Sequence, residues 1–69
     1  MTVEVRDKRF GVIAVEKGFI NKEQLFEALK IQIEEDLQGE THNLIGVILI
    51  GLGFLTHEQA DEILLEMKR

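Results

Sequence analysis

The sequence predicts an all-α fold of four short helices, set as two tandem helical hairpins. Three observations predict it. The 69-residue chain contains a second copy of its own pattern at an offset of 35, matched at turn residues as well as at apolar ones. Each copy carries one stop-turn-start signal: a glycine, an aromatic, an aliphatic and a helix-capping residue. Between those signals the apolar residues recur at helical spacing.

The copies align closely. Gly18-Phe19-Ile20-Asn21-Lys22-Glu23-Gln24 returns as Gly53-Phe54-Leu55-Thr56-His57-Glu58-Gln59, and Gly11-Val12-Ile13 returns as Gly46-Val47-Ile48. Over residues 9–34 against 44–69, nine of 26 positions are identical. One small domain, residues 1–69, therefore holds two repeat units at about 9–34 and 44–69.

Taken in order, Thr2-Val3-Glu4-Val5 alternates and reads as a short edge strand or a frayed extended arm. A first helix spans about 8–17, with Phe10, Ile13 and Ala14 as its inner stripe. Gly18 ends it, since glycine tolerates the left-handed conformation a helix stop requires. Phe19 then falls where it can fold back onto the last turn. Asn21 is a good N-cap, and Gln24 three positions on completes a capping box. The second helix spans about 22–37, with Leu25, Ala28, Leu29, Gln32 and Ile33 inward and Phe26 and Leu37 beside them. A linker of about 37–42 follows, with Gly39 to end the helix. The third helix, about 42–52, is apolar all round and so is either central or part of an interface. Leu44–Leu52 could also be written as a β-branched strand, but its alignment with residues 9–17 favours the helix. Gly53, Phe54, Thr56 and Gln59 repeat the turn. The fourth helix, about 57–67, turns Ala60, Ile63, Leu64 and Met67 inward. Ile20 has Leu25 as a staple partner, whereas Leu55 has only Ala60, so the fourth helix should start more weakly.

Composition narrows the function. The net charge is −5, against the basic face that nucleic-acid binding requires. Residues 1–30 carry six bases and five acids, while residues 31–67 carry eight acids and no base. That asymmetry serves solubility or steers the chain toward a basic partner. With no cysteine there is no disulfide framework and no thiolate metal site. No apolar run resembles a membrane span and no signal-peptide pattern opens the chain, so a cytoplasmic protein is expected. The small core makes self-association an expectation as well.

No catalytic set can be assembled. Thr2, Thr41 and Thr56 are the only hydroxyl side chains, and Thr56 is a cap. Gly46, Gly51 and Gly53 do not have the order of a phosphate-binding loop. His42 and His57 have no partner histidine at ligand spacing, and Glu34, Glu35, Asp36 and Glu40 lack the spacing of a calcium loop. No enzyme activity, cofactor or metal is expected.

The first copy reads Arg9-Phe10-Gly11, Ala14-Val15, Gly18-Phe19-Ile20, Leu25, Ala28-Leu29 and Gln32. It resembles the N-terminal helical domain of the type II secretion and type IV pilus assembly ATPases of bacteria. That family shows an Arg-Leu-Gly start, a Gly-aliphatic-aliphatic turn and a Leu-x-x-x-Leu-x-x-Gln helix, commonly twice in tandem. The resemblance covers residues 9–32 well and 44–67 in part. Some family members bind cyclic di-GMP through the tandem motifs, and others dock secretion-machine partners. By position it implies Arg9, Gly11, Gly18 and Gln32 as ligand-facing residues, an arginine being suited to stack on a base or pair with phosphate. The second copy departs from the pattern, with Leu44 in the Arg position and Met67 in the Gln position, and residues 33–43 exceed the usual spacer. The expectation is thus a non-enzymatic docking or regulatory module working through a protein partner or self-association, with Phe26, Ile45, Leu49 and Leu52 as interface candidates. A cyclic di-GMP sensor is the alternative.

Overall fold

The computed structural model of the chain describes residues 5–39 and 43–68. Four helices follow in order: α1 (Val5–Glu16), α2 (Lys22–Leu37), α3 (Ile45–Gly51) and α4 (His57–Met67). The fold is all-α, and the described residues contain no strand. No described helix is long and apolar enough to cross a membrane.

The two turns share one geometry. At the end of α1, Gly18 takes φ 78° and its N–H donates to Val15 O, while Phe19 N–H donates to Ala14 O. At the end of α3, Gly53 takes φ 81°, with Gly53 N–H to Ile50 O and Phe54 N–H to Leu49 O. This paired 5→2 and 6→1 pattern is a Schellman stop, which satisfies the last carbonyls and reverses the chain. Both following helices start with a complete capping box. Gln24 N–H donates to Asn21 Oδ1 at 2.8 Å and Asn21 N–H to Gln24 Oε1 at 2.9 Å. Gln59 N–H donates to Thr56 Oγ1 at 3.1 Å and Thr56 N–H to Gln59 Oε1 at 3.0 Å.

The structure moves two boundaries. Val5 opens α1, so the extended arm cannot reach that residue, and Thr2–Glu4 lie outside the described residues. Starting the helix there puts Asp7 in its first turn, where a carboxylate suits the free N–H groups. α3 begins at Ile45, because Leu44 is extended (φ −66°, ψ 149°) and offers no capping side chain. Residues 40–42 lie outside the described part. The stretch Leu44–Leu52, ambiguous between strand and helix, is helical.

Packing runs between the copies more than within them. α3 lies against α2 and α1, and α4 lies against α1. One cluster of buried side chains joins all four helices: Phe10, Ala14, Ala28, Ile45, Ile48, Leu49, Ala60 and Ile63, with Ile20 and Leu55 from the two turns. Phe10 and Ile45, Ala14 and Leu49, Ile20 and Leu55, and Ala28 and Ile63 are 35 apart, and both members of each pair are buried. The repeat is therefore a repeat of the core. Gly11 lets α1 and α2 close, since a Cβ there would stand 2.6 Å from Leu25 Cδ1. Lys17 Nζ reaches Glu66 Oε2 at 3.3 Å and ties the ends of α1 and α4.

Candidate functional site

The four residues implied by the resemblance do not converge on one surface. Arg9 is exposed on α1. It lines an open groove of about 540 Å³ with Lys8, Val12, Glu16 and Glu66. Gly11 is buried beneath Leu25. Gly18 forms the exposed turn after α1, with no atom within 4 Å of its Cβ position. Gln32 is 1% exposed and points inward. Its Nε2 donates to Asp7 Oδ2 at 2.8 Å and to the Asn43 carbonyl at 2.9 Å. Gln32 thus links α1, α2 and the segment before α3, and Asp7 is itself 3% exposed. An amide is well suited to this place: one donor group serves both a buried carboxylate and a backbone carbonyl.

The interface candidates divide. Ile45 and Leu49 are fully buried and form the centre of the core, so neither can meet a partner. They sit on the face of α3 turned toward α1 and α2, one helical turn apart. Phe26, 61% exposed, and Leu52, 37% exposed, are on the surface. Among the further exposed apolar residues are Leu44, Val47 and Leu64, at 52%, 56% and 38%.

Those three border a second groove, of about 310 Å³, between α1, α3 and α4. Phe10, Gly46, Ile50 and Ala60 also line it. Its origin is legible in the repeat. In the first copy Leu25 closes over Gly11. In the second copy the counterparts are Ala60 and Gly46, and the methyl of Ala60 cannot fill the same space. The ring of Phe10 comes in from α1 instead, standing 3.0 Å from where a Gly46 Cβ would be. The remaining space stays open. Arg6, His57 and Asp61 line its edge.

Among the described residues, no three His, Cys, Asp or Glu side chains come together in a way that could hold a metal ion. Every buried side-chain nitrogen or oxygen of the described residues has a hydrogen-bond partner, so no orphaned polar atom aims at an absent ligand. No known family model matches the sequence, and neither a curated protein nor a solved structure matches it.

Proposed function

We propose that the chain is a non-enzymatic helical docking or regulatory module, comparable in role to the N-terminal domains of the secretion and pilus assembly ATPases. It acts through protein–protein contacts in the bacterial cytoplasm. The observation that carries this is the apolar groove between α1, α3 and α4 with Leu44, Val47 and Leu64 on its rim. A concave apolar surface bordered by exposed leucine and valine suits an apolar side chain of another protein better than a polar substrate. Covering the rim residues would contribute on the order of 1 kcal/mol each. The cyclic di-GMP alternative draws on Arg9 alone, because Gln32 is engaged with Asp7 and Asn43.

Light scattering across a wide concentration range, with affinity capture from the source cell, tests the proposal. Val47→Asp keeps the core intact and places a charge in the middle of the apolar rim. A self-contact or a captured protein that is lost with Val47→Asp supports docking. A strict monomer that retains nothing Val47-sensitive refutes it.

A further inference from the structure

We infer that the α1–α3–α4 groove receives a basic amphipathic helix, which inserts a leucine-like side chain against Phe10 and Ala60 and sets its cationic residues against the start of α4. This deepens the docking proposal and rests on it. The shape argument comes from the repeat. In the first copy Leu25 fills the space over Gly11, and in the second the Phe10 ring stands 3.0 Å from where a Gly46 Cβ would be. Ala60 reaches less far than Leu25, and the hollow between Phe10, Val47, Ile50 and Ala60 stays open to an outside group. Phe10 supplies a flat apolar floor, and Val47 and Leu64 stand on either bank. An inserting side chain would be flanked on both sides, and neighbouring apolar residues one turn away would rest on the banks, which is the geometry of a helix laid in a groove.

Charge selects the occupant. Asp61 lines the groove, and Glu58 and Glu62 lie exposed next to it along α4. They belong to a stretch, residues 31–67, with eight acids and no base. At the opposite end Arg6 and Lys68 stand close together beside Leu64 and Met67. Asp7 also lines the groove but is 3% exposed, so the exposed acids of its edge lie at the His57–Asp61 end, and the occupant's bases should be gathered at one of its ends. A second copy of this chain is a poor occupant. It would bring its own net charge of −5, and a two-fold contact would set one hollow against the other. A membrane surface fails for the same reason, since anionic lipid would face the acidic α4.

The test uses two synthetic helical peptides with the same leucines at i, i+3, i+4 and i+7. One carries lysines at one end, and the other carries glutamates there. Binding is read by fluorescence anisotropy and located by amide chemical shifts of the full chain. The lysine peptide should bind, with shifts centred on Val47, Ile50, Ala60 and Leu64. The glutamate peptide should bind about tenfold more weakly or worse, and the gap should narrow as salt is raised. Ala60→Leu should fill the hollow and abolish binding. Val47→Asp, at an exposed site, should weaken it without touching the core, and Asp61→Lys should reverse the preference between the peptides. Equal binding of the two peptides, no binding of the lysine peptide, or binding indifferent to both Ala60→Leu and Val47→Asp overturns the inference. So does a dimer of the chain that Val47→Asp dissociates. A natural partner held through Val47 by an acidic or uncharged segment overturns this occupant while docking itself stands. A chain with no Val47-sensitive contact overturns both.

Discussion

Replacing Gln32 by alanine separates a structural role for this residue from a ligand-facing one. Its Nε2 donates to the carboxylate of Asp7, a residue 3% exposed, and to the Asn43 carbonyl, at 2.8 and 2.9 Å. Truncation leaves Asp7 one donor short, and a buried hydrogen bond to a charged group is worth about 1.5–3 kcal/mol. The stranded carbonyl and the space left by the side chain add to this, and entering water offsets part of it. A loss of about 3 kcal/mol is expected. A chain of 69 residues has a total stability of roughly 3.5–10 kcal/mol, so the loss is a large fraction of it. At about 4–8 °C per kcal/mol for a domain of this size, the melting temperature should fall by roughly 12–24 °C. Urea unfolding followed by far-UV circular dichroism reads the effect. Gln32→Met, which keeps the length of the side chain but not its donor, should recover only the packing part. In a double-mutant cycle with Asp7→Ala, the two residues should couple by about 1 kcal/mol or more. If Gln32→Ala and Gln32→Met both unfold within about 0.5 kcal/mol of the wild type, or if the cycle is additive, the buried link has been misjudged.

Three further outcomes follow from the same structure. Leu49→Ala, at a fully buried site in α3, should cost about 3 kcal/mol and leave the shortest helix frayed, as read by urea melts and amide exchange. Gly51→Ala meets no atom within 4 Å and should raise stability by about 0.5–1 kcal/mol, whereas Gly18→Ala, at φ 78°, should lower it by about 1 kcal/mol. Calorimetric titration with cyclic di-GMP should give only heat of dilution. Saturable heat that disappears with Arg9→Ala would favour the sensor over the docking module.

Local grammar made the helices legible. The Gly-Phe-aliphatic-cap sequence occurs twice, and both capping boxes and both Schellman stops form where it lies, so α2 and α4 have the expected boundaries. Boundaries without such grammar were missed. Leu44 carries no side-chain cap, and nothing local marks Val5 as a helix start. Inward and outward residues of α3 were not separable in the sequence, since every position from Leu44 to Leu52 is apolar or glycine. Only the packing of α3 against α1 and α2 turns Ile45 and Leu49 inside and leaves Val47 outside. The role of Gln32 was hidden for a related reason. Its partner Asp7 is 25 residues away, and such a distance is closed only by the fold. The groove did leave a trace. Ala60 in the place of Leu25 marks a missing volume, although the sequence does not show that the volume opens to solvent.

Two of the four buried pairs of the repeat are alike in position but opposite in size. Ala14 and Ala28 of the first copy correspond to Leu49 and Ile63 of the second, and all four meet in one core. At these two positions each hairpin complements the other and not itself. Two first hairpins would enclose a void where four alanines met, and two second hairpins would crowd four large side chains into the same room. A chain severed within residues 40–42 should therefore yield fragments that each ignore their own kind and recombine only with the other.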